Sequence, residues 1–179
     1  IRDRLQSDFD KLVKSSKFSN EETQFKKNFL NNFIKKGFPN RKQEDWKFLD
    51  ISQIIKKNIS NLSYFNDYSQ SNKIDPSIFV DGLEHNKIIF INGRIEKIDF
   101  NFEDQNKIEI IDETKKDISF DYENSLIDLN SAFTDKVFKI LIKKNYSLKK
   151  PLIIYHSIND EIKSTNTNLR LDFELCENS

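Results

Sequence analysis

Leu169-Arg170-Leu171-Asp172-Phe173-Glu174-Leu175-Cys176 alternates apolar and polar side chains without a break. Successive side chains of an extended strand point to opposite faces, so a two-residue period marks a strand with one apolar face, and that face needs a covering layer. Working back along the chain, Leu152 to Tyr155, Val137 to Ile142 and Ile108 to Ile111 are further β runs. Lys87 to Ile91 and Arg94 to Phe100 flank Asn92-Gly93, a dipeptide suited to the two positive φ angles of a type I′ turn, and so read as a hairpin. Leu126 to Phe133 reads as one or two helical turns between these runs.

The first 60 residues read differently. Between Asn20 and Lys36 the side chains Phe25, Phe29, Leu30, Phe33 and Ile34 recur at helical spacing. Ser19 and Glu22 stand at capping-box spacing, while Gly37 and Pro39 supply a helix stop. Leu5, Phe9, Leu12 and Val13 carry the same period more weakly, and Ser52 to Lys57 reads as a third, short helix. The expectation is an α+β chain: a helical region over residues 1–60, a linker and hairpin region over 61–125, and a β core beginning at 126–179. Residues 58–75, rich in Asn, Ser and Tyr, read as the irregular stretch between them. The apolar row of the final strand has little chain after it, which reads as a cut through a longer protein.

Composition narrows the function. With 179 residues and 36% hydrophobic content the chain can bury a core, and 29 basic residues balance 29 acidic ones. Zero formal charge removes the bias expected of a dedicated nucleic-acid or membrane-surface binder. Apolar runs such as Ile88 to Ile91 stop at four residues, too few to span a bilayer. One cysteine, Cys176, excludes an internal disulfide framework, and the setting expected from this is cytoplasmic.

The motifs of common chemistries are missing from the sequence. Gly37, Gly82 and Gly93 stand far apart, so no glycine-rich loop can cradle a phosphate. His85, His156 and Cys176 are each isolated, whereas zinc sites cluster such ligands. His156 could meet Cys176 in space as a thiolate pair, but two lone residues satisfy so loose a criterion by chance, and His85 reads as part of a surface loop. Asp172 and Glu174, on one strand face with Cys176, could gather a cation; a solvated face is the simpler reading. The same holds for the lysine pairs at 35–36, 56–57, 115–116, 143–144 and 149–150 as phosphate contacts. Trp46, beside Phe48, Leu49 and Ile51, reads as a core anchor and not as a binding platform. No catalytic, cofactor or metal residue is assigned.

Gly37-Phe38-Pro39-Asn40-Arg41-Lys42-Gln43-Glu44-Asp45-Trp46-Lys47-Phe48 resembles the Gly-Leu-Pro, basic pair, Glu, Trp-Lys-aromatic signature near the N-terminus of the SufD family of iron-sulfur cluster assembly subunits. Ile88 to Gly93 is similar to that family's apolar strand ending in Asn-Gly, and Leu129-Asn130-Ser131-Ala132-Phe133 to its Leu-Asn-x-Ala-Phe stretch. Pro151 to Tyr155 and Asn168 to Asn178 resemble its first β-helix strands. Phe48, Leu49 and Lys136 depart from the usual Tyr, Thr and Gly.

The resemblance implies helices followed by a right-handed parallel β-helix, of which this chain holds the start. It implies a non-catalytic scaffold working with SufB and the SufC ATPase, with no cofactor in this fragment although the parent complex handles iron-sulfur clusters. The surfaces that grip SufC and face SufB are implied to lie mostly beyond Ser179. No nucleic-acid or membrane partner is expected, and the fragment is expected to self-associate through its C-terminal strands or to fray there. The competing reading is the N-terminal part of a β-helix enzyme acting on polysaccharide, for which Asp172 and Glu174 are the one carboxylate pair on a clear strand.

Overall fold

The computed structural model of the chain describes residues 2–58, 61–65, 74–112, 124–158 and 162–179. These form an α+β arrangement of helices α1 (Arg2–Ser15), α2 (Asn20–Lys36), α3 (Ile51–Asn58) and α4 (Ser125–Phe133) with strands β1 (Asn86–Ile91), β2 (Arg94–Asp99), β3 (Ile108–Asp112), β4 (Val137–Ile142), β5 (Leu152–Ser157) and β6 (Arg170–Leu175). The chain divides into two compact units that do not follow the three segments read from sequence. One comprises Ile1–Asn66, Lys115–Asp135 and Lys163–Asn168; the other comprises Asp67–Thr114, Lys136–Ile162 and Leu169–Ser179.

The helical unit is built on amphipathic faces. Helix α2 begins where expected: the Ser19 hydroxyl accepts from Glu22 N at 3.1 Å, and Glu22 Oε2 accepts from Ser19 N at 2.6 Å. It ends at Gly37, whose φ of 71° is open to glycine and whose N–H donates to Phe33 O. Leu5, Phe9 and Leu12 of α1, Leu30 and Phe33 of α2, and Leu129, Ala132 and Phe133 of α4 make one core with Tyr64. Asp8, buried on α1, fastens the segment around Tyr64: it accepts from Tyr64 N at 2.9 Å and from Lys11 Nζ at 2.8 Å. Burial, reinforced by Asp8, pushes the Tyr64 phenol up to about 12.

Trp46 departs from its expected place. It ends a short 3-10 turn (Glu44–Trp46), is half-buried, and is not among the side chains packed on the core. Phe38 takes that role instead, meeting Phe33 edge-on at 5.0 Å, with Pro39 buried beside it in sequence. The turn after Pro39 carries the tryptophan outward, and Phe48 is 86% exposed. Trp46→Ala is therefore expected to cost less than about 1 kcal/mol in urea unfolding, well below a buried aromatic. A loss above about 3 kcal/mol would put the indole back in the core.

The second unit holds two three-stranded sheets, in the orders β2-β1-β5 and β3-β4-β6. Asn92 and Gly93, at φ 54° and 86°, close the antiparallel β1–β2 hairpin, which carries a register shift between Ile89 and Phe90. The other contacts of the two central strands are parallel: β1 pairs with β5 from Asn86↔Leu152 to Ile91↔Ser157, and β4 with β6 from Val137↔Arg170 to Ile142↔Leu175. Ile88 and Phe90 of β1 pack with Ile140 and Ile142 of β4 between the sheets. Ile89, Ile91 and Tyr155 face the opposite way, under Ile74, Ile78 and Phe79.

Candidate functional site

Three buried polar arrangements stand out, each engaged by protein groups, although Asn86 Oδ1 beside the first of them has no hydrogen-bond partner among the described residues. Glu103, 6% exposed, accepts from Asn86 Nδ2 at 2.7 Å, Tyr146 Oη at 2.7 Å, Lys149 N at 3.0 Å and Lys150 N at 3.1 Å. Burial alone would raise this carboxyl, but the four donors outweigh it and hold it down to about 2. A carboxylate so placed is a clamp, since a general base needs a pKa nearer its working pH and a free side toward substrate. The clamp joins the start of β1 to the loop entering β5, where Asn86 N also donates to Pro151 O at 2.8 Å.

Residues 81–84 form the exposed loop that the sequence suggests, but His85 at its end turns inward and is 3% exposed. Its Nδ1 lies 2.6 Å from Leu83 O, which can only accept, so in the neutral ring Nδ1 carries the proton and Nε2 accepts from Tyr155 Oη at 2.7 Å. Val80 N completes the chain by donating to Tyr155 Oη at 3.1 Å. Both ring nitrogens are committed to holding the segment before β1 against β5.

Lys26 is the third. Its buried ammonium donates to Thr134 O and, at 3.4 Å, to Ser131 O, and lies 4.9 Å from the Phe18 ring centroid. These carbonyls end α4, where a cation meets the negative end of the helix dipole. Burial lowers the amine to about 8, against the raising influence of Asp135 and Glu22.

The residues singled out in the sequence are not brought together. His156 is exposed on β5 with its ring stacked on Phe90 at 4.9 Å, whereas Cys176 follows β6 in the other sheet and donates its N–H to Ile142 O. No hydrogen bond joins them among the described residues. Asp172 takes a two-pronged contact from Arg170 at 2.8 and 2.9 Å, and Glu174 pairs with Lys139. Lys36 pairs with Asp128, Lys143 with Glu109, Lys144 with Glu177 and Lys150 with Glu84, while Lys115 and Lys116 lie outside the described residues. Among the described residues no group of three or more His, Cys, Asp or Glu could hold a metal, and no helix is long and apolar enough to cross a membrane.

Among the described residues, β6 stands at the end of its sheet, and its apolar row divides sharply: Leu169 and Leu171 are half-buried in the inter-sheet core, whereas Phe173 is 48% and Leu175 68% exposed. The alternation noted in the sequence is therefore real, but only its first half is covered. An exposed edge with apolar side chains is suited to pairing with another strand, not to chemistry. No family model matches this chain, and no curated protein matches it.

Proposed function

We propose that the chain is part of a scaffold subunit of the SufD type, acting with SufB and the SufC ATPase in iron-sulfur cluster assembly without a reaction of its own. The observation that carries the reading is the order in which strands are laid down. From β4 the chain crosses to the other sheet for β5 and returns for β6, and each new strand lies parallel to one from the preceding pass, β5 on β1 and β6 on β4. Such winding favours the start of a right-handed parallel β-helix, a quasi-one-dimensional architecture in which each coil supports the next. The signature Gly37 to Phe48 supports the same family. The commitment of His85, Lys26 and Glu103 to protein partners supports a structural part for them.

The polysaccharide-enzyme reading draws no support from its carboxylates, because Asp172 and Glu174 are each engaged by a cation on the same sheet. The SufD reading is tested by replacing the gene that encodes this sequence in its host. Activities of iron-sulfur enzymes are expected to fall, and the gene's tagged product is expected to co-purify with SufB and SufC. Unchanged enzyme activities, or a product that brings down neither protein, would overturn the proposal.

A further inference from the structure

We propose that His85 and Tyr155 form an acid-sensitive latch, which releases residues 74–80 from the sheet β2-β1-β5 when the imidazole gains a second proton. The inference uses only contacts within the sheet unit and does not depend on the SufD reading. Residues 74–80 lie as a strap over one face of this sheet, where Ile74, Ile78 and Phe79 cover Ile89, Ile91 and Tyr155. The middle of the strap is a 3-10 turn (Pro76–Ile78) capped by the Asp75 carboxylate, which accepts from Ser77 N at 2.9 Å. Its hold on the sheet is thin. Phe79 meets Tyr155 edge-on at 5.1 Å and has Lys87 Nζ 5.1 Å from its ring centroid. Among the described residues one hydrogen bond ties the strap to a strand, from Val80 N to Tyr155 Oη at 3.1 Å.

That bond depends on the charge of His85. With the ring neutral, Tyr155 gives its phenolic proton to Nε2 and its oxygen is free to accept from Val80 N. A charged ring has two donors and no acceptor, and its Nδ1–H stays on Leu83 O. Nε2–H then claims the phenol oxygen, and this contact is the stronger because its donor is charged. The phenolic proton has to turn away from the imidazolium toward the place of Val80 N–H, where two donors meet head-on. No carboxylate relieves the ring: Glu84 is paired with Lys150, Asp99 of β2 with Lys97, Asp75 caps its own turn, and Asp81 lies exposed in the loop. Lys87 of β1 and Arg94 of β2 add like charge, and the β5 residues on this face, Ile153, Tyr155 and Ser157, supply no counter-charge. A buried charge without a counter-ion is costly, and lifting the strap lets water reach it. Acid then uncovers Ile89 and Ile91, each 1% exposed in the latched chain.

Amide exchange on the 179-residue chain, read together with the His85 ring nitrogens by NMR, tests this. Protection of the Val80 amide, corrected for intrinsic exchange, is expected to fall about tenfold or more between about pH 8 and about pH 5, the span in which histidines change charge. The fall should share its midpoint with the charging of the His85 ring, while the amides of the β1–β5 ladder keep their protection. His85→Gln cannot take up the proton, so its Val80 protection should not vary over the same span. Tyr155→Phe should leave the Val80 amide unprotected throughout, because its acceptor is gone. Should a variant fail to fold, the two wild-type midpoints decide alone. Val80 protection indifferent to pH, a fall whose midpoint differs from that of the ring, or the same fall in His85→Gln would each overturn the proposal.

Discussion

Glu103→Ala is expected to lower the stability of the sheet unit by about 4 kcal/mol, more than any other polar substitution in that unit. The carboxylate is the acceptor for two main-chain donors, Lys149 N and Lys150 N, and for the Asn86 and Tyr146 side chains, in a setting that water scarcely reaches. Removing it strands those donors, and each buried unsatisfied donor costs about 1–3 kcal/mol. The same clamp gives acid sensitivity. A carboxyl depressed from its ordinary 4.5 to about 2 contributes about 3 kcal/mol of stability, fully present above the unfolded value. That contribution fades as pH falls through about 4 toward 2. Urea midpoints measured across this window should drop steeply for the wild type and much less for Glu103→Gln. Equal slopes would show that folding leaves the carboxyl's affinity for its proton unchanged.

Phe33→Ala is expected to cost about 4 kcal/mol, by emptying the centre of the helical unit. The ring is 2% exposed and sits edge-on to Phe38, and its loss leaves Leu30, Phe133 and Tyr64 around a space too well braced by three helices to collapse. Urea unfolding followed by far-ultraviolet circular dichroism checks it. A cost no larger than that of Trp46→Ala would mean that the helical core is organised around the tryptophan after all.

Helix α2 and the β1–β2 hairpin could be read in advance because their instructions are local. Ser19, Glu22 and Gly37 act within a turn of the residues they terminate, and Asn92-Gly93 contains its whole turn. The final strand was equally plain as a strand. Its neighbour was not, because parallel pairing of β6 with β4 joins segments separated by a full crossing to the other sheet, and no short pattern records that. The polar clusters failed to show for the same reason. His85 sits among loop-forming residues and is buried by a tyrosine 70 positions later, and Glu103 is clamped by donors 43 to 47 positions away or 17 positions before it. Trp46 misled because aromatic neighbours suggest burial, whereas the turn after Pro39 lets Phe38 reach the core in its place.

The parallel bridge between Ser63 and Thr165 bears on how the chain is made. Ser63 N donates to Ser164 O and accepts through its carbonyl from Asn166 N, both at 2.7 Å, so the helical unit includes residues from near the far end of the sequence. During synthesis α1 and α2 emerge first and can pair at once, but their unit cannot close until residue 168 has left the ribosome. By then β1, β4 and β5 are already outside and competing for apolar partners. The apolar faces of α1 and α2 wait for Leu129, Ala132 and Phe133 of α4, made only after the β1–β2 hairpin, which makes this segment a natural client for chaperones that hold nascent polypeptides.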